Sequence, residues 1–436
     1  MSARETALCA LIACRKSGGW SNGVLKEYCE RDGLDRRESA LASRLCYGVL
    51  QNRAKLDFYL KQLLTGKLRD LHPAVHDILL LGMYQIYEMD RIPDSAAVNE
   101  SVLLAKKHCA KVRNASGLVN AVLRNAVRTK GALVTPNSLH EQYSHPENLV
   151  ALLKSYVGEE RLEPMLKANN DAAPTVIQVN TRLTSVSALQ DSLINDGVTS
   201  AELHPWLDNC LVLRDTGNIE QLEAFKNGWF YVQDVAARLS VRCAAISTGD
   251  KVLDCCAAPG GKSFAALIDG AGSVISCDVH DHKLDLIKNG AKRLHFENIE
   301  VYQQDGAAFN PIWEAKMDVV IADVPCSGYG IIRKKPDIRY KDPDSMRELP
   351  ALQLAILSNQ ARYVKPGGVL MYSTCTLVRR ENEGVVEKFL KQNSEFYLEP
   401  LKLPDVFPRN QSGMLTLVPG EYDTDGFFVC RLRRKV

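Results

Sequence analysis

Met317-Asp318-Val319-Val320-Ile321-Ala322-Asp323-Val324-Pro325-Cys326-Ser327-Gly328 joins an apolar run to a polar, reactive turn. Its first six residues are rich in β-branched side chains and have the length of a strand buried on both faces. The run ends in a carboxylate (Asp323), a rigid proline and a thiol (Cys326). That order puts them at the carboxyl edge of a parallel sheet, where open α/β sheets bind ligands. A second apolar run, Gly368-Val369-Leu370-Met371-Tyr372, leads into Ser373-Thr374-Cys375 and delivers another thiol. Two cysteines and an aspartate at strand ends suit nucleophilic chemistry on an electrophilic ring. Either cysteine alone reads as well as a small buried hydrophobe.

Outward from this stretch, strands alternate with helices from about residue 233, the mark of a doubly wound sheet. The first core strand, Val252-Leu253-Asp254-Cys255-Cys256, meets the turn Ala257-Ala258-Pro259-Gly260-Gly261-Lys262 and then a helix from Ser263. A phosphate-binding P-loop needs glycine where Cys256 stands, and the G-x-G-x-x-G pattern also fails. What remains is a turn whose small residues let backbone N–H groups approach a nucleoside cofactor that lacks a polyphosphate. Val274-Ile275-Ser276-Cys277-Asp278 ends in a carboxylate suited to accept from two ribose hydroxyls. Val301-Tyr302-Gln303-Gln304-Asp305-Gly306 brings another, suited to an adenine amino group. Each aspartate alone could equally be a turn cap. The three stations in order point to S-adenosylmethionine.

The chain has 436 residues, enough for two or three domains. A hydrophobic content of 46% and a charged content of 24% are those of a soluble globular protein. No apolar run approaches the roughly 18 residues that span a bilayer, and the amino terminus lacks a signal-peptide pattern. A cytoplasmic protein without membrane contact is expected. The 13 cysteines are scattered without a C-x-x-C pair, which suggests reduced thiols and no metal site. Residues 1–140 carry 21 Lys and Arg against 13 Asp and Glu, a balance of +8, while the remainder carries −6. Such asymmetry fits a basic module that holds a polyanion, and it fits an ordinary solvated helical surface too.

Residues 1–130 read as helices. Val75, Ile78, Leu79, Gly82, Met83 and Ile86 fall at helical spacing behind Pro73. Pro93-Asp94-Ser95 reads as the cap of a helix over 96–107, and 117–125 reads as another, with Arg124 and Arg128 one turn apart. Residues 131–146 read as a linker and 147–170 as helical. Short strands at 176–179, 211–213 and 229–232, with a helix near 186–195, predict a small α+β subdomain. It is either a second binding surface or a spacer.

The pattern A-x-V-N-E (residues 96–100) followed by Leu118-Val119-Asn120-Ala121-Val122-Leu123-Arg124-Asn125 resembles the NusB-like RNA-binding domain. Cys256 to Lys262, Asp323 to Gly328 and Ser373-Thr374-Cys375 look like the signature motifs of RNA (cytosine-5) methyltransferases. Arg333-Lys334-Lys335-Pro336-Asp337-Ile338 and Asp425-Gly426-Phe427-Phe428 match as well. Val324 departs from the family's commoner alanine. Together with the NusB-like part, the set resembles the bacterial 16S ribosomal RNA methyltransferase B family.

That resemblance implies a Rossmann-like S-adenosylmethionine-dependent domain (236–436, a doubly wound mixed sheet), behind an all-α NusB-like bundle (1–140) and an α+β segment (141–235). It implies methylation of C5 of a specific cytosine of 16S ribosomal RNA, the family site being nucleotide 967. In the family pattern Cys375 is the nucleophile toward C6, Cys326 helps product release, and Asp323 holds the N3/N4 edge. Cys256, Ala257, Ala258, Pro259, Gly260, Gly261, Lys262, Asp278, Asp305 and Asp323 would line the cofactor site. For Lys262 two roles stand, biasing the site toward substrate or capping the turn. The partner expected is 16S RNA, free or in an early assembly intermediate, and the protein a monomer. The alternatives are a transfer-RNA cytosine-5 methyltransferase and a non-catalytic RNA-binding assembly factor. A DNA methyltransferase is disfavoured because Pro-Cys-Ser replaces its Pro-Cys-Gln.

Overall fold

The apolar runs that lead to the two cysteines are neighbouring parallel strands, Met317–Asp323 and Val364–Thr374, with Asp323 opposite Ser373. The computed structural model describes residues 1–17, 21–407 and 412–436. The chain divides into two units, Met1–Asn170 with Ile332–Lys341, and Asp171–Ile331 with Asp342–Val436.

In the second unit, β1 (Thr175–Val179), β2 (Ser200–Leu203), β3 (Cys210–Arg214) and β4 (Phe230–Val232) form an antiparallel sheet in the order β2-β3-β1-β4. The helix Val186–Asn195 lies where its periodicity put it, and the Ser185 side chain caps it. Strand β2 is an addition to the expected set. It is a partly exposed edge strand of four residues, too short to show alternation.

The larger sheet follows with β5 (Lys251–Asp254), β6 (Ser273–Asp278), β7 (Ile299–Gln303), β8 (Met317–Asp323), β9 (Val364–Thr374), β10 (Phe396–Leu398), β11 (Met414–Leu417) and β12 (Phe427–Arg434). Its order is β10-β12-β9-β8-β5-β6-β7, with β11 also on β12. The pairs among β5 to β9 are parallel, and β12 runs antiparallel to β9, so the sheet is mixed. Alternate residues of the central strands enter two separate cores. Val252, Val319 and Ile321 pack with Phe264 and Ile287, whereas Leu253, Val320 and Ala322 pack with Ile356, Leu357 and Phe389. Apolar side chains on both faces explain the unbroken runs of the sequence. After β5 the chain builds β6 and β7 on one side, then returns to build β8 on the other. The crevice of such a sheet lies at this reversal, beyond Asp254 and Asp323. Two expected strand ends move: Cys255 and Cys256 already belong to the turn after β5, and Asp305 lies in a turn two residues beyond β7.

In the helical unit, Pro73–Glu88 is the central element, and Val75, Ile78, Leu79, Gly82, Met83 and Ile86 are all buried. A Cβ at Gly82 would lie 2.5 Å from Leu123 Cδ1, so glycine admits the helix Ala115–Arg128. The helix expected over 96–107 spans Asp94–His108, preceded by Pro93 and without a side-chain cap. The stretch 131–146 contains one short helix, Leu139–Gln142, and 147–170 holds two, Glu147–Val157 and Glu159–Ala168. Residues 332–341 complete this unit. The buried Arg339 guanidinium donates to the carbonyls of Gln51, Ser144 and Asn169 and to Asn170 Oδ1, and Tyr340 donates to the Leu50 carbonyl. Burial pulls Arg339 down to about 10, with only the Tyr340 charge working against it among the described residues. No helix among the described residues is long and apolar enough to cross a membrane.

Candidate active site

The turn after β5 is built by backbone bonds and glycine. Ala257 N–H donates to the Cys277 carbonyl at 2.8 Å and Gly260 N–H to the Ala257 carbonyl at 2.7 Å. Gly260 has φ +110°, and a Cβ there would meet the Phe264 ring at 2.5 Å. The helix Gly261–Ile268 starts immediately after it. Asp254, at the end of β5, is fully buried and accepts from the Ser263 hydroxyl at 2.8 Å, while among the described residues its Oδ1 has no side-chain hydrogen-bond partner. Burial pushes its carboxyl up to about 6, against the opposing Ser263 bond and the Lys262 charge.

Asp278 closes β6 and accepts the His280 N–H at 3.0 Å through Oδ1. Asp305, more exposed, accepts the Ala307 N–H at 2.9 Å, also through Oδ1. Both therefore act as turn caps, each through one oxygen. Carboxylate oxygens beyond β6 and β7 beside a glycine turn beyond β5 fit a ligand rich in hydroxyl and N–H donors, as a nucleoside is. Among the described residues no cluster of His, Cys, Asp or Glu is placed to hold a metal ion.

The second half of the site lies at the ends of β8 and β9. Lys262 Nζ donates to Asp323 Oδ2 at 2.6 Å, and the Ser373 hydroxyl donates to Asp323 Oδ1 at 2.7 Å. Lys262 thus reaches across the strand ends to a carboxylate, not back to the carbonyls of its own turn. Burial works against its charge, but Asp323 outweighs burial and holds the ammonium above the ordinary lysine range. The ring of Phe427 lies 5.5 Å from Nζ.

Cys326 Sγ and Cys375 Sγ are 3.2 Å apart and partly buried. Their hydrogen bond and then burial, with the Cys375, Glu381 and Asp323 charges adding, push the Cys326 thiol well above its ordinary value. The terminal Asp425–Phe428 stretch abuts the same loops. Gly330 N–H donates to the Cys375 carbonyl, and Gly426 N–H to the Gly330 carbonyl. A Cβ at Gly330 would lie 2.0 Å from the Gly426 carbonyl oxygen. The structure therefore brings Asp323, Cys326, Cys375 and Lys262 together, with the glycine turn beside them and Asp278 and Asp305 further along the same edge.

Sequence reasoning passed over Ser373 as a partner of Asp323, and Glu381, Asn382 and Gln353 beneath the cysteine loops. Ser373 was within reach, because strands ending in Asp323 and Thr374 put it opposite the aspartate once they are paired. The other three carry no strand-end signature.

Three family models match. The 16S rRNA methyltransferase RsmB/F model covers residues 242–433, the NusB family model residues 1–128, and the RsmF/B-like ferredoxin-like domain model residues 145–220. The "Probable ribosomal RNA small subunit methyltransferase B" of Bacillus subtilis (strain 168) is 35% identical, over 100% of this chain and 99% of its own length. The ribosomal RNA small subunit methyltransferase B of Vibrio cholerae is 33% identical, over 92% of this chain and 90% of its own. The solved structure of PH0851 shares the fold over 100% of this chain and 99% of its own, with a TM-score of 0.81 at 24% identity. NSun6 from Pyrococcus horikoshii, solved with SFG, matches 66% of this chain and 98% of its own at a TM-score of 0.60 and 21% identity. With curated relatives matched from end to end at this identity, the chain belongs to the 16S ribosomal RNA methyltransferase B/F family.

Proposed function

We propose that this protein uses S-adenosylmethionine to methylate C5 of a specific cytosine of 16S ribosomal RNA, at the family's nucleotide 967, through a covalent cysteine–C6 intermediate. The observation that carries the reading is the pair of thiols 3.2 Å apart beside a carboxylate fixed by Lys262. Cytosine C5 is too weak a nucleophile to react unaided. A Cys375 thiolate bonding to C6 makes C5 the nucleophilic carbon of an enamine. Asp323 already accepts from Lys262 and Ser373, so it meets the base as an acceptor, from the N4 amino group and from a proton at N3. When bound, the cofactor supplies a methyl group to that carbon. The Cys375 charge is one of the causes that hold the proton on Cys326, and bonding of Cys375 to C6 removes that charge. Cys326 then gives its proton to solvent water and, as the thiolate, takes the C5 proton; the C–H electron pair restores the C5=C6 bond and expels Cys375 as a thiolate. The target cytosine must be unpaired or flipped out to meet these groups.

The cofactor site comprises Cys256 to Lys262, Asp278, Asp305 and Asp323, with domains at 1–140, 141–235 and 236–436. The substrate is free 16S RNA or an early assembly intermediate, and the enzyme is a cytoplasmic monomer. The test is incubation with unmodified 16S RNA and labelled cofactor, then mapping of the methylated base. Cys375→Ala should abolish transfer and leave no covalent species. Cys326→Ala should accumulate an RNA adduct, through Cys375, that survives denaturing electrophoresis. A reversed pattern exchanges the two roles, and unchanged turnover in both variants sinks the mechanism.

A further inference from the structure

Glu381 and Asn382 are consecutive, buried, and take no part in the chemistry above. Glu381 Oε2 accepts the Ser327 backbone N–H at 2.9 Å and Gln353 Nε2 at 3.0 Å. Gln353 Nε2 also donates to the Pro325 carbonyl at 2.9 Å. Both neighbours of Cys326 in sequence are thereby tied to one carboxylate–amide pair. Asn382 does the same for the other thiol. Its Oδ1 accepts from the Thr374 hydroxyl at 2.6 Å, and its Nδ2 donates to the Thr376 carbonyl at 3.0 Å, on either side of Cys375. Ser327 Oγ and Thr376 Oγ1, 2.7 Å apart, join the two loops directly.

The choice of glutamate is itself informative. Among the described residues no cation pairs with it, and its Oε1 is buried without a hydrogen-bond partner. A buried carboxylate so placed costs stability that a glutamine, accepting the same two N–H groups, would not. What the charge faces is the Cys326 loop, and it adds to the causes that keep that thiol protonated.

We propose that Glu381 and Asn382 are the positioning residues of the two thiols, Asn382 fixing Cys375 for attack and Glu381 fixing Cys326 for release. The inference rests on the covalent mechanism proposed above. Its distinguishing feature is that neighbouring residues, equally buried in one network, affect different halves of the reaction.

The test uses the full chain, S-adenosylmethionine and an unmethylated 16S RNA transcript, with first-turnover methyl transfer measured apart from steady-state turnover. Glu381→Met, which removes the acceptor of both N–H groups, should keep the first turnover within about threefold, lose about tenfold or more in steady state, and accumulate a denaturation-resistant RNA adduct, whereas Glu381→Gln, which keeps that acceptor, should restore the steady-state rate. Asn382→Ala should lose about tenfold or more in the first turnover itself, and should lower adduct yield in a Cys326→Ala background. Cofactor affinity and Tm report on folding. If Glu381→Met does not fold, Gln353→Met, which cuts the same tie from the other side, is read on the same two rates. Loss of both rates in equal proportion in both variants overturns the proposal and leaves the pair purely structural. A Cys326→Ala chain that forms no adduct overturns the covalent reading itself, and the proposal with it. Failure of the pair alone looks different, because the adduct forms and no split appears.

Discussion

Lys262 and Asp323 hold each other in place, and the cost of separating them falls on the reaction. Lys262→Met leaves the Asp323 carboxylate with the Ser373 hydroxyl as its one remaining donor among these contacts. A hydrogen bond to a charged group contributes about 1.5–3 kcal/mol, so turnover should fall roughly 10- to 100-fold, measured as kcat on unmethylated RNA. Unchanged kcat would remove Lys262 from the site. Asp254 makes a different prediction. Its carboxyl is raised to about 6 in the folded chain, from about 3.9 unfolded, so the folded state binds the extra proton between those values. This group's contribution is fully present below pH 4 and is lost as pH rises through 6. The unfolding free energy of the natural chain relative to Asp254→Asn should therefore drop by about 2.4 kcal/mol between pH 4 and pH 8. A difference that stays flat with pH would show that Asp254 is not buried as a neutral acid. At this scale the convergence of Asp323, Cys326 and Cys375 at one sheet edge was legible in the sequence. Asp323, Cys326 and Cys375 each end an apolar run, and a strand end is a place as well as a pattern. Glu381 was not, because its bond to Ser327 spans 54 residues and depends on where a turn lands.

Among the elements, the central strands β5, β6, β8 and β9 were readable because burial on both faces leaves unbroken apolar runs. The partly exposed edge strand β2 offers no such run, and propensity alone does not mark it. The segment Ile332–Lys341 was visible as a motif, but its docking was not, since Arg339 meets carbonyls and an amide from three separated parts of the chain. Carbonyl acceptors leave no trace in side-chain identity. Arg339→Met should fill much of the space but strand those acceptors, the carbonyls of buried Ser144 and Asn169 above all. At roughly 1–3 kcal/mol per stranded group, the helical unit should lose several kcal/mol. Chemical denaturation followed by helical circular dichroism measures the loss. A loss under about 1 kcal/mol would mean that water replaces the guanidinium.

For the whole molecule, the basic balance of residues 1–140 resolves into exposed side chains that include Lys106, Lys111, Arg113, Arg124 and Arg128. Arg124 and Arg128 donate to Asn120 and Asn125, amides that leave their charge uncompensated. Reversing both (Arg124→Glu with Arg128→Glu) should weaken binding to 16S RNA and flatten its salt dependence. The slope of log K against log salt should fall by about 0.7–0.9 for each phosphate that is no longer neutralised, while cofactor affinity stays constant. An unchanged slope would place the RNA anchor elsewhere. Deleting residues 1–130 is a poorer test of RNA anchoring, because it strips Ile338, Arg339 and Tyr340 of the helices that bury them. The same arrangement has a consequence in time. A ribosome makes the chain from its amino end, so the bundle up to Asn170 is made about 160 residues before its last piece, Ile332–Lys341. At about 5–20 residues per second, the Arg339 acceptors on that bundle wait roughly 10–30 s for the guanidinium they are shaped to hold. The first unit to be synthesised is thus among the last to be finished, and it is finished by a strip of chain that begins just past Cys326.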